Sequence, residues 1–272
     1  MRIAVCQMRS GDDVDANVAT AESLLHEAAD GGADLAVLPE VFPFLGSPRR
    51  VPRIAETIPG GSIANRLAEV ARAREMWIAG GSIQEADEGR VFNTLPLFDR
   101  GGQLVARYRK IHMFDVDLPD QPPFRESATY APGAQLVTYP TELARLGFAI
   151  CYDLRFPELF RGLATLGAEV IMLPAQFQHA TGRAHWHVLL RARAIENQCF
   201  VVAASQWGTY GDPDQGRRSY GHSIVVGPWG DVIAEAAEEG TGVTFADLDL
   251  SELRRVRSEL PALTHRRLGI TC

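Results

Sequence analysis

Gly32-Ala33-Asp34-Leu35-Ala36-Val37-Leu38-Pro39-Glu40 decides the fold class, because about half a chain later Gly167-Ala168-Glu169-Val170-Ile171-Met172-Leu173-Pro174-Ala175 follows the same plan. In both, a helix stops at glycine, a short apolar strand follows, and Leu-Pro closes it. Any helix–strand junction of an α/β protein can look like this. Two copies this far apart nevertheless predict two similar halves packed sheet against sheet about a pseudo-twofold. Only the first copy ends in a carboxylate, Glu40, so the two halves are expected to differ in chemistry.

Working outward, residues 2–8 read as a buried strand and Asn17 to Asp30 as a helix, with Val18, Ala21, Leu24, Leu25 and Ala28 at helical spacing. Ser62 to Glu75 is a second helix and Trp77-Ile78-Ala79 a strand. The stretch 91–113 reads as a hairpin turning at Asp99-Arg100-Gly101-Gly102. An irregular loop follows, marked by Pro119, Pro122, Pro123 and Pro132. Leu146 to Cys151 is a strand, Pro157 to Leu166 a helix begun by proline and ended by Gly167. Strand 170–173, helix 184–197 and strands at 200–204, 222–227, 231–235 and 242–248 complete an α/β alternation.

The composition narrows the class. With 46% hydrophobic and 22% charged residues, the 272-residue chain can bury a sizeable core without disulfide or metal staples. A net charge of −7 argues against a nucleic-acid partner. Cys6, Cys151, Cys199 and Cys272 form no CxxC pair, which argues against a zinc ribbon or a disulfide framework. No apolar run reaches the roughly 18 residues of a membrane span, and Met1 to Gln7 enters strand-like sequence without a leader pattern. The expectation is a soluble cytoplasmic protein with no membrane partner.

Three side chains invite chemistry. Cys151 stands at a strand–turn–helix junction, where backbone N–H groups and a helix dipole favour a thiolate and an oxyanion. A buried structural thiol is the commoner fate of a lone cysteine, and Cys6 and Cys199, inside strand patterns, read as core. Lys110 shares a strand face with Leu104, Ala106 and Tyr108, opposite Arg107 and Arg109. It either meets anionic partners or snorkels to water. Glu40, after a parallel-type strand, is where α/β enzymes place functional groups, although a solvated loop carboxylate fits equally.

Taken together, Leu38-Pro39-Glu40, Tyr108-Arg109-Lys110-Ile111-His112 and Cys151-Tyr152-Asp153-Leu154-Arg155-Phe156-Pro157-Glu158 resemble, in order, the three signature segments of the nitrilase superfamily of carbon–nitrogen hydrolases. Phe114-Asp115-Val116-Asp117 with Glu126-Ser127, Ala184-His185-Trp186 and Leu189 to Glu196 are similar to its Nit branch. Ser219-Tyr220-Gly221-His222-Ser223 matches as well, as does Leu260-Pro261 with His265-Arg266-Arg267. The last two, with the arginine-rich helix, favour the deaminated-glutathione amidase subgroup over its ω-amidase cousin. The resemblance implies a four-layer α-β-β-α sandwich of pseudo-twofold halves, with residues 1–272 forming one carbon–nitrogen hydrolase domain. It also implies a thioester mechanism without cofactor or metal. Cys151 is then nucleophile and Glu40 general base, Lys110 and the Tyr152 N–H form the oxyanion hole, and Glu126 positions Lys110 and substrate.

A small carboxylated amide needs cationic anchors, and Arg155, Arg183, Arg217 and Arg218, with His185, fall in segments expected to rim the pocket. Arg183 and His187 stand where the branch usually has Pro and Glu, and the loop Gly208 to Gly216 looks individual to this chain. Rival readings are a non-catalytic interaction protein, which retention of all three catalytic residue types argues against, and a metallohydrolase built from His179, His185, His187 and His222. Against the latter, His185 and His187 point to opposite helix sides and no carboxylate has ligand spacing. The resemblance further implies a homodimer or higher homo-oligomer, with helix 157–166 and the segment after 184 as contact surfaces.

Overall fold

The structure, a computed structural model, describes residues 1–117, 123–211 and 217–268. Pro119, Pro122, the 212–216 part of the individual loop, and Cys272 lie outside the described residues. The first half runs β1 (Arg2–Gln7), α1 (Val14–Asp30), β2 (Leu35–Val37), α2 (Val51–Ile54), α3 (Ser62–Arg74), β3 (Trp77–Ala79), β4 (Ile83–Asp87), β5 (Arg90–Phe98) and β6 (Leu104–Arg109). Two short strands, β7 (Asp115–Val116) and β8 (Phe124–Arg125), separate it from β9 (Thr138–Pro140), β10 (Arg145–Phe148), α4 (Pro157–Thr165), β11 (Val170–Met172) and α5 (His179–Asn197). The chain continues through β12 (Phe200–Ala203), β13 (Trp207–Thr209), β14 (Arg218–Tyr220), β15 (Ile224–Val226), β16 (Val232–Glu235), β17 (Gly242–Asp247) and α6 (Leu250–Glu259).

The echoed segments become β2 and β11, and they hold the same place in two sheets. One sheet is ordered β17-β1-β2-β3-β5-β4, with β6 also paired to β5, and the other β9-β10-β11-β12-β15-β16. In each, three parallel strands have antiparallel strands on both sides. Even the closing residues correspond: Leu38 N–H donates to Ala79 O and Leu173 N–H to Val202 O.

Strand alternation then sorts the layers. Ile3 and Val5 of β1 share a core with Leu146, Phe148, Val170 and Met172 of the other sheet. Ala4 and Cys6 point the opposite way, onto Leu25 of α1 and Leu67 of α3. Trp186, Leu190 and Ala194 of α5 and Leu163 of α4 bury against the outer side of the second sheet. The arrangement is an α-β-β-α sandwich.

Boundaries shift where a side chain or a packing partner intervenes. α1 begins three residues early, because Asp13 caps it by accepting from Ala16 N–H at 3.1 Å. α5 begins at His179 instead of 184, β6 stops before Lys110, and β10 ends at Phe148, three residues short of Cys151. The strands β4, β7, β8, β9, β13 and β14 and the helices α2 and α6 were not legible as elements; most are short, and each of these strands pairs with a neighbour close along the chain.

Candidate active site

The carboxyl ends of the parallel strands converge, as open α/β sheets place their sites. Glu40 follows β2, Cys151 follows β10 and Gln176 follows β11. Glu40 is fixed by its own backbone: Gln206 Nε2 donates to its carbonyl at 3.1 Å and Val41 N–H to Ser82 Oγ at 2.8 Å. The supporting Gly81 has φ +57°, and a Cβ there would stand 2.2 Å from Pro39 O, so only glycine lets this strand end approach.

Alternation along β6 aims Tyr108 inward and turns Arg107 and Arg109 out to Glu85, each at 2.7 Å. The next residue inward is Lys110, which is only 2% exposed, so it does not snorkel to water. Its Nζ lies 2.9 Å from Glu40 Oε1 and 2.8 Å from Glu126 Oε2. Asn93 Nδ2 donates to the same two carboxylates at 2.9 and 3.3 Å. The other Glu40 oxygen, Oε2, accepts from Gln176 N–H, and Glu126 Oε2 accepts from Phe114 N–H as well as from Lys110, both backbone bonds at 2.7 Å.

Burial opposes the Lys110 charge, but the Glu126 and Glu40 carboxylates outweigh it and hold the ammonium well above its ordinary range. Glu126 is itself pushed up by burial and by Glu40, against the pull of Lys110. Cys151 adjoins both groups. Burial and the neighbouring Glu40 raise its thiol well above the usual value, Lys110 offsetting only part. This corrects the expectation of a dipole-stabilised thiolate. The turn that Cys151 opens is a single 3-10 turn, Cys151–Arg155, and α4 starts only at Pro157, so no long helix dipole points at the sulfur. Cys151 itself has φ +44°, a costly conformation for a side-chain-bearing residue.

A buried clamp maintains that turn. Asp153, fully buried, accepts from Tyr108 Oη at 2.7 Å, Ile150 N–H at 2.9 Å and His112 N–H at 3.1 Å, and lies 2.7 Å from His112 Nδ1. It therefore ties the end of β6, which carries Lys110, to the Cys151 turn. Asp153→Ala leaves several donors unpaired at about 1–3 kcal/mol each. The expected loss is at least about 3 kcal/mol in urea unfolding, with Asp153→Asn, which keeps an acceptor oxygen, losing less.

Glu40, Lys110, Glu126 and Cys151 open onto a cavity of about 370 Å³ walled by Phe44, Phe114, Phe124, Tyr152, Phe177 and Tyr210. Of the proposed anchors, Arg155 and Arg217 line it, stacked over Phe177 and Phe124, and neither has a carboxylate partner among the described residues. Arg183 and His185 do not line it. They lie exposed on α5, His185 Nδ1 reaching Arg155 at 3.2 Å, because the helix starts early and turns them outward. Arg218 is engaged by Glu238 and Glu239 at 2.6 and 2.7 Å. Sequence reasoning missed Asn93 and Gln176; an Asn within the apolar run Val91 to Phe98 was the available signal. Nor did spacing pair the histidines with Glu235 and Glu238, which reach His187, His222 and His179.

Comparison with known proteins identifies the family. The carbon-nitrogen hydrolase family model matches residues 2–258. A deaminated glutathione amidase of Bos taurus is 42% identical over 97% of this chain and 81% of its own. Omega-amidase NIT2 of Homo sapiens is 40% identical over 98% and 95%. Among solved structures, the C. elegans NitFhit protein superposes with TM-score 0.89 at 37% identity, covering 98% of this chain, which spans 65% of that one. Nit3 of Saccharomyces cerevisiae, a member of branch 10 of the nitrilase superfamily, gives 0.88 at 32%, covering 98% and 97%. A glutamate-to-glutamine variant of an amidase from Nesterenkonia sp. AN1 carries acrylamide added to its active-site cysteine; it gives 0.80 at 27%, covering 96% and 98%. With a family model spanning nearly the whole sequence and relatives of about 40% identity along it, this chain belongs to the carbon–nitrogen hydrolase family.

Proposed function

We propose that this chain is a cysteine-dependent amidase hydrolysing the C–N bond of a small carboxylated amide, of the deaminated-glutathione type, through a thioester. The observation that carries the reading is the buried Lys110 ammonium set between Glu40 and Glu126 beside the Cys151 thiol. Because that thiol is protonated at rest, attack on the amide carbon requires a base in contact, and Glu40 takes the proton as the S–C bond forms. The oxyanion that develops faces Lys110 Nζ and the Tyr152 N–H. On collapse the protonated Glu40 delivers its proton to the departing amine. Water, deprotonated by Glu40, then attacks the thioester and releases the carboxylic acid and the thiol. Glu126 acts through Lys110, holding its position and charge.

Arg155 and Arg217, which have no carboxylate partner among the described residues, suit a substrate that brings carboxylates of its own. The similarity to an omega-amidase supports a second substrate, α-ketoglutaramate. A panel of deaminated glutathione, α-ketoglutaramate and simple nitriles separates these, with Cys151→Ala as control. Turnover of deaminated glutathione above the others is expected; turnover of nitriles alone would refute the amidase reading.

A further inference from the structure

Where α5 meets the β14–β16 segments, outside the cavity lining, three potential ligands from three separate segments meet. His187 comes from α5, His222 from the link between β14 and β15, and Glu235 from the end of β16. His187 Nε2 stands 2.8 Å and His222 Nδ1 2.6 Å from the same oxygen, Glu235 Oε1. All three ligand atoms lie within 4.8 Å of one another. We propose that His187, His222 and Glu235 form a binding site for a divalent transition-metal ion of the zinc class.

The donor set and its support both favour this. Two imidazoles and one carboxylate suit zinc and its neighbours, whereas magnesium and calcium prefer all-oxygen shells. Tetrahedral zinc, with bonds of about 2.0–2.1 Å, spaces its ligand atoms roughly 3.3 Å apart, so the carboxylate need retreat by less than about 1 Å to admit it. Behind the ligands sits a second layer. His222 Nε2 lies 4.0 Å from Glu238 Oε2, beyond hydrogen-bond reach but close enough for the carboxylate to attract a charge there. Glu238 is in turn held by Arg218 at 2.6 Å and His179 at 3.0 Å.

The ligands are also positioned in advance. Buried Trp186 donates from Nε1 to His222 O at 2.9 Å, and His222 is fixed at φ +52°. Glu235 lies in register with Ile224, and Ala236 N–H donates to Ser223 O at 2.8 Å. The ion would fasten α5 to the β15–β16 edge. Thiol chemistry in the cavity proceeds without it, so the site stands or falls independently of the amidase reading.

The test is zinc titration of the chelator-treated full chain by calorimetry, in a Cys151→Ser background that removes the cavity thiol as a competing ligand. One equivalent is expected to bind, with His187→Ala and Glu235→Gln each weakening affinity at least about tenfold. Arg254→Ala, exposed on α6, leaves it unchanged, and circular dichroism verifies that each variant folds. Cobalt loading should give visible d–d bands without a near-ultraviolet thiolate band. Absence of binding, equal affinity in the ligand variants, or a thiolate band would each overturn the assignment.

Discussion

Replacing Cys151 with alanine is expected to lower kcat by about 10⁴–10⁶-fold while leaving the fold intact, because no other group in the cavity can form the thioester. The side chain is small and lies on a turn held by Asp153, so unfolding midpoints should stay near those of the parent chain. Alkylation supplies the matching positive measurement. Cys6 and Cys199 are fully buried with thiols pushed up to about 12, whereas Cys151 opens onto the cavity. Iodoacetamide should therefore label Cys151 first. Since burial and Glu40 also hold the Cys151 thiol above its ordinary value, the labelling rate should keep climbing as pH rises beyond neutral. Equal labelling of the three cysteines would remove the nucleophile assignment.

Lys110→Met carries the second large effect, on stability and activity together. It leaves two buried carboxylates without their shared cation, and breaking a buried pair costs about 3–5 kcal/mol. A fall in Tm on the order of 10 °C follows for a chain of this size. The loss should depend on pH. Glu126 is already raised above the usual carboxylate range, and without Lys110 it moves further up. A group raised in the folded state favours folding below its unfolded value and loses that contribution as pH rises through the folded value. The variant is thus least impaired near pH 5 and most impaired near pH 8, which urea unfolding at the two values tests. With one oxyanion donor gone, kcat should fall by about 10²–10³-fold at pH values where the chain remains folded.

The sequence was most informative where one local pattern implies one environment. The apolar runs ending in Leu-Pro could only be buried strands, and they became the middle strands of two matching sheets. Period-two alternation fixed which face of β6 Lys110 takes, because successive Cβ atoms must point to opposite sides. The same reasoning failed for Arg183 and His185. Arg183 was read as loop and His185 as the start of a helix from 184; the helix that forms from His179 turns both outward onto solvent.

Protonation and partnership are tertiary properties. A strand–turn–helix pattern around Cys151 suggested a dipole, but dipole strength depends on helix length, and desolvation depends on every neighbour that excludes water. Likewise no spacing rule links residues 187, 222 and 235, or 93 with 40 and 126. By itself the sequence determined the α/β halves, the strand face that Lys110 shares with Tyr108 and the order of its Glu, Lys and Cys segments, since backbone geometry dictates those within a few residues. Only the tertiary structure decided which carboxylates share Lys110, why the Cys151 thiol stays protonated, and which arginines reach the cavity. Those depend on distances between segments that the chain brings together only on folding.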